Sequence, residues 1–306
     1  MKGDDSSLTP QQFATVEASA RRLLDRADAW DTFPTPVSDL MAAAQLKVAP
    51  IQAFDENAML RYLQRTGEQL GKVLRRAIEK VRGILDVHAG TVHVDQGVND
   101  EKQRFVSLHE AGHFELPHQR PLFRWVQDCD RTLAPDVSEL FEREANTFAR
   151  LVLFQGDAFG TMTRDEPFGI KVPINAAKKF GASLYASMRE YVRRHHKSCA
   201  VIVLEPSELI EGLGLVHRIR RVEMSDTFLA TFGQLLLPEF LSAFDDLARF
   251  VPSGGRRMSA PRSFAWMDVR GTRRECLGEG FKTTYNTFIL IHERTTLASM
   301  FAIPGF

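Results

Sequence analysis

The stretch "SLHEAGHFELPH" (107–118) gathers three histidines and two glutamates, and three of these residues have the spacing of a reactive centre: His109, Glu110 and His113. Positions i and i+4 of an α-helix lie one above the other on one face, so the two imidazoles would address a single point. Glu110 stands about 100° further round the helix, badly placed to share an ion but able to reach a water bound to it. H-E-x-x-H thus supplies two metal ligands and a general base. Gly112, inside the motif, is a weak helix former by about 1 kcal/mol relative to alanine. It makes sense if another backbone or a substrate comes close.

A site that turns over keeps three protein ligands and leaves the fourth position open. The third ligand is expected from the helix in "SELFEREANTFARLVL" (138–153), whose buried stripe would be Phe141, Ala145, Phe148 and Val152. Glu142 and Glu144 flank that stripe on opposite edges, and helical phase does not choose between them. The small neighbours Ala145, Asn146 and Ala149 lean toward Glu142, with Asn146 placed at i+4 to orient its carboxylate. His118 is a candidate oxyanion stabiliser or supporting group. Cys129, in the loop between the two helices, is a conceivable thiolate cap on the ion, against a default of an inert thiol.

These groups need elements to hold them. A helix is expected over 8–29, started by Thr9 and Pro10. A proline-rich turn, a short helix and a strand follow in "FPTPVSDLMAAAQLKVAP". Leu60, Leu63, Leu70 and Leu74 mark an amphipathic helix over 57–82. "TVHVD" reads as a strand broken by "GVND", and the histidine-bearing helix starts near Glu101. A Pro-, Asp- and Arg-rich loop is expected over 117–136, and the second helix over about 137–154. "GDAFGTMTRDEPFG" reads as a linker or long turn. Beyond it "AVIVLEP", "TFILIHE" and "SMFAIP" look like buried strands, with apolar helices around "FLATFGQLLL" and "FLSAFDDLARF".

The 306 residues hold 44% hydrophobic and 25% charged residues, and 39 Lys plus Arg balance 39 Asp plus Glu. That composition is ordinary for a globular chain and speaks against polyanion binding along its whole length, though not against one basic face. No apolar run approaches the roughly 18 residues of a membrane helix. The acidic, polar "MKGDDSSLTPQQF" is no secretory leader. Three separated cysteines, Cys129, Cys199 and Cys276, with no CxxC, fit free thiols in a reducing cytoplasm.

"RFVSLHEAGHFELPH", with "EREANTFARLVL" beginning 29 residues after His113, resembles the ImmA/IrrE family of metallopeptidases. That family combines an F-x-x-x-H-E-x-x-H helix with an E-x-x-A-N-x-F-A helix. This chain departs from it in reading "LVLF" where the family often has "LLMP". The resemblance implies His109, His113 and Glu142 as metal ligands and Glu110 as catalytic base. The first glutamate of the E-x-x-A-N pattern is the family ligand, which favours Glu142 over Glu144. It also implies Zn²⁺, with Mn²⁺ as the alternative ion.

"PINAAKKFGASLYASMREYVRRHHK" (173–197) reads as a short helix, a turn at Gly181, a cap at Ser183 and a second helix bearing Arg189, Arg193 and Arg194. It resembles the helix-turn-helix that follows the peptidase part in this family. The functional expectation is DNA contact through phosphates. The plainer one is a helix pair that packs on the peptidase domain or docks a protein substrate. "VPSGGRRMSAP" resembles a segment in the GAF-like part of IrrE proteins, the branch linked to radiation and desiccation response. Such domains usually bind small molecules or partners.

The expected fold class is therefore α+β. A zincin-like, mostly helical peptidase domain with a small sheet would span 1–165, a helix-turn-helix segment 166–199, and a GAF-like α/β domain 200–306. The expected function is a cytoplasmic, zinc-dependent, site-specific endopeptidase that cleaves a helix-turn-helix repressor and derepresses a stress regulon. The alternatives are a DNA-binding regulator with a structural or silent metal site, and a sensor whose C-terminal module binds a small molecule.

Overall fold

The computed structural model describes residues 6–51, 83–123 and 134–294. The helix expected over 57–82, the thiol of Cys129 and the strand expected in "SMFAIP" lie outside the described residues. The chain divides into two compact units, Met1–Phe159 with Ala176–Ser183, and Gly160–Asn175 with Leu184–Phe306. The class is α+β, and among the described residues no helix is long and apolar enough to cross a membrane.

The first unit opens with α1 (Pro10–Arg26), closed by a capping box in which Thr9 and Gln12 each satisfy the other's backbone N–H. Next come α2 (Val37–Ala43) and a three-stranded sheet of β1 (Lys47–Ile51), β2 (Gly83–Asp86) and β3 (Thr91–Asp95). The strand order is β1-β3-β2, with β1 parallel and β2 antiparallel to β3. Helix α3 (Asp100–Glu115) starts where Asn99 accepts the Lys102 N–H, with Asp100 and Glu101 in its first turn. Those carboxylates complement the positive end of the helix dipole. Helix α4 (Pro135–Leu153) begins on a proline, whose missing N–H costs nothing at a helix start. The stripe read from sequence is buried: Phe141, Ala145, Phe148 and Val152 are all at most 4% exposed.

Packing of α3 on α4 sets the position of everything chemical. A Cβ added to Gly112 would lie 3.2 Å from the Ala145 Cα and 3.2 Å from the Phe148 side chain. The glycine therefore lets the α4 backbone come close, one of the two uses expected of it. Gly112→Val should destabilise the chain by about 1–3 kcal/mol, the usual cost of overpacking a tight core. Denaturant unfolding measures this, and an unchanged midpoint would mean that the α3–α4 seam has room to spare.

Helix α5 (Ala158–Arg164), with most of its residues in the second unit, stands where the sequence implies only a linker or long turn. Helix α6 (Lys171–Phe180) has residues in both units, and α7 (Leu184–Arg194) belongs to the second. Gly181, between them, has the positive φ of 64° that a sharp turn requires. The strands β4 (Cys199–Ile210), β5 (Gly214–Met224), β6 (Phe240–Ser242), β7 (Arg262–Met267), β8 (Arg273–Lys282) and β9 (Thr287–Glu293) form one antiparallel sheet. Its order is β6-β5-β4-β9-β8-β7. The central strands β4 and β9 are apolar and buried, as "AVIVLEP" and "TFILIHE" implied. Ile202, Leu204, Ile289 and Ile291 build a core with Leu241, Leu247 and Phe250.

Two expectations about local structure need correction. "FLATFGQLLL" does hold a helix, α8 (Asp226–Phe232), but "FLSAFDDLARF" is the strand β6 followed by a 3-10 helix, Asp246–Phe250. An apolar run this short fits either element, and here edge pairing with β5 decides. Residues 119–123, placed in a loop by composition, are helical. Cys199 and Cys276 are free, buried thiols.

Candidate metal centre

Helix α3 is anchored by Val106, Leu108, Ala111 and Phe114, all buried. Its one-turn spacing then brings the His109 and His113 Nε2 atoms to 3.2 Å of each other. Glu142, from α4, puts one carboxylate oxygen 3.5 Å from His109 Nε2 and the other 3.7 Å from His113 Nε2. The three ligand atoms lie within 4.8 Å of one another. The choice left open by helical phase is thus made by tertiary position, because Glu144 faces elsewhere. It is buried and accepts from Gln119 Nε2 at 2.6 Å, with His118 Nε2 also 2.6 Å from the same oxygen.

Each imidazole is held from behind by an amide. Asn146 Oδ1 lies 3.1 Å from His109 Nδ1, and Gln119 Oε1 lies 2.6 Å from His113 Nδ1. The orientation of Gln119 is fixed, because its Nε2 already donates to Glu144 and to the Phe141 carbonyl. Its oxygen must therefore accept the proton on His113 Nδ1, and Asn146 Oδ1, an acceptor only, takes one from His109 Nδ1. Both Nε2 lone pairs then point into one space. Asn146, expected to orient the Glu142 carboxylate, holds the His109 ring. His118 serves Glu144, not the space in front of the imidazoles.

Gln119 escaped the sequence reading. It follows Pro117 in a stretch without apolar periodicity, and nothing in the H-E-x-x-H pattern marks it. Phe123 adds an aromatic wall 4.7 Å from the His113 ring, centroid to centroid.

Facing lone pairs need a cation between them. Without a metal that cation is a proton, and the two rings are pushed apart in basicity. Burial works against charge on His109, but Glu142, Glu110 and Asn146 hold its pKa above the ordinary value. Burial, then the neighbouring His109, push His113 down to about 4 against the pull of Glu142 and Gln119. Burial raises Glu110 to about 7, with Glu142 adding to the rise and His109 opposing it.

The donor set also fits a metal. Two nitrogens on a tetrahedral Zn²⁺ at about 2.0–2.1 Å would be about 3.3 Å apart, and a carboxylate oxygen at similar range would be about as far from each. The observed separations of 3.2, 3.5 and 3.7 Å need almost no movement to reach that geometry. Two neutral imidazoles and one carboxylate are a donor set suited to Zn²⁺, and compatible with Mn²⁺.

The basic helix α7 carries its arginines in ion pairs. Arg189 and Arg193 each lie 2.8 Å from the Glu223 carboxylate on β5, and Arg194 lies 3.1 Å from Glu190. Arg189 and Arg193 hold the Glu223 carboxyl below the ordinary carboxylate range despite its burial. These guanidinium groups form ion pairs inside the second unit.

Residues 73–187 match the family model described as Peptidase M78, IrrE N-terminal-like domain. None of the curated proteins matches the chain. Among solved structures, a chain described as a Mycobacterium tuberculosis transcriptional regulator aligns with a TM-score of 0.49 at 9% identity, over 91% of this chain and 87% of that one.

Proposed function

We propose, for a chain whose residues 73–187 belong to the ImmA/IrrE family of metallopeptidases, that it is a zinc-dependent, site-specific endopeptidase. Its substrate would be a helix-turn-helix repressor, cut to release a stress regulon. The observation that carries the catalytic part is the convergence of two amide-locked imidazoles on the space beside the Glu142 carboxylate. His109, His113 and Glu142 would hold the ion. When bound, the ion supplies Lewis acidity and brings the pKa of a bound water to roughly 7.

The chain's own groups then handle the proton. Glu110, on the same helical turn and buried beside His109, accepts the proton of the attacking water and passes it to the amine that leaves. Asn146 and Gln119 keep the imidazoles in the tautomer that ligates. Phe123, its ring tilted 53° against that of His113, lies on one side of the site.

Protein purified without chelator should carry close to one equivalent of zinc or manganese. Incubated with a helix-turn-helix repressor encoded beside it, the chain should yield one discrete cut, lost on chelation and regained with zinc. An intact repressor after incubation with fully metal-loaded protein would remove the assigned substrate. Failure to retain any divalent ion would remove the enzyme.

A further inference from the structure

The segment from Arg249 to Arg262 reads "RFVPSGGRRMSAPR", four arginines and no carboxylate in a chain whose charges balance overall. It lies wholly in the second unit. It lines a cleft of about 490 Å³, whose lining includes Arg249, Arg256 and Arg262 with the apolar Val251, Pro252 and Met258. Among the described residues, no acidic one lines it.

The arrangement is held in place rather than draped. Gly278 and Gly280 on β8 leave room for Phe250, since a Cβ at either would collide with the Phe250 ring or its carbonyl. The loop then bonds to the same strand. Ser259 N–H donates to the Gly280 carbonyl, Gly280 N–H donates to Ser259 Oγ at 2.7 Å, and Lys282 N–H donates to the Arg257 carbonyl. Gly254 and Gly255, with φ of 63° and 76°, make the reversal that brings the two ends of the segment to one cleft.

The cations themselves are poorly compensated. Arg249 sits near the Phe250 and Phe264 rings, 5.4 and 5.5 Å from their centroids. Its carboxylate neighbour, Asp246, is 3.9 Å away and 96% exposed, a contact that water screens. Among the described residues, the side chains of Arg256 and Arg262 have no carboxylate partner. Three like charges around one cleft repel each other, and a pinned loop keeps them there.

We infer that this cleft binds a small phosphorylated molecule carrying a flat, apolar part, with a nucleoside polyphosphate as the representative. Three planar guanidinium groups match an oxyanion of two to four charges, which they can grip with paired N–H donors. The apolar wall and a volume in the range of ligand pockets suit a ring beside the phosphates. The inference is independent of the metal centre, because it concerns binding to the other unit.

The test is isothermal titration of the full chain with ATP, adenosine, pyrophosphate and a single-stranded 20-mer of DNA at fixed ionic strength. ATP should bind saturably at one site, pyrophosphate more weakly and adenosine not at all. Arg256→Ala with Arg262→Ala should weaken ATP by about tenfold or more, as expected when charge-assisted hydrogen bonds are lost. Arg21→Ala, an exposed arginine of α1, should leave binding unchanged. An unaltered thermal midpoint in the double variant shows that the loop still folds. Three results overturn the inference: no heat from ATP or pyrophosphate at millimolar concentration, ATP binding indifferent to the double variant, or DNA binding that depends on Arg256 and Arg262 while ATP does not compete.

Discussion

Glu110→Gln should lower repressor cleavage by about 10²–10⁴-fold, the range that a positioned general base contributes, while the metal content stays at one equivalent. Glutamine has the same shape, so the buried packing of α3 is kept, but it cannot accept a proton. The pH profile gives an independent signature. Burial lifts the Glu110 pKa to about 7 in the metal-free chain, and a divalent ion nearby would draw it back down by favouring the carboxylate. The base is active only when ionised, so cleavage should rise with pH through the titration of this group. The glutamine variant should lose that rising limb. Cleavage assays across pH, with metal analysis on the same samples, read both effects. A glutamine variant that cuts within a few-fold of the parent would mean that another group takes the proton.

The second large effect separates the two glutamates of α4. Metal at about 1,000 times its dissociation constant stabilises a folded chain by about 4 kcal/mol, read as a rise in thermal midpoint on adding zinc. Glu142→Ala should abolish most of that rise, because its oxygens lie 3.5 and 3.7 Å from the two Nε2 atoms. Glu144→Gln removes a charge that acts only through Gln119 and His118, so it should weaken metal binding by about 10–100-fold, as outer-layer groups do. A response lost in the Glu144 variant and kept in the Glu142 variant would invert the assignment of the third ligand.

How much of this could be read beforehand depended on whether the information was local. The pairing of His109 with His113 follows from helical pitch alone, and Thr9 with Pro10 announces the first helix. The buried stripe of α4 follows from periodicity. Glu142 and Glu144 sit symmetrically about that stripe, so the choice between them belongs to the docking of α4 on α3, toward which only the small neighbours of Glu142 and the family resemblance leaned. Gln119 was invisible because its role depends on where the segment after Pro117 turns. The ion pairs of the α7 arginines were out of reach for a similar reason. Their partner Glu223 lies about 30 residues further on, in β5, and a charge count along one helix cannot see it. "FLSAFDDLARF" failed on length, being too short for its pattern to distinguish a strand from a helix.

The contact at Gly112 bears on how such a chain can diverge. Both imidazoles and the carboxylate could be inherited unchanged, and the ion would still be lost if position 112 drifted to a bulky residue, since α4 would be levered away with Glu142 on it. Selection on the reaction therefore falls on a residue with no reactive atom. A descendant bearing an intact H-E-x-x-H but a large side chain at its fourth position is expected to have abandoned the chemistry and kept the scaffold.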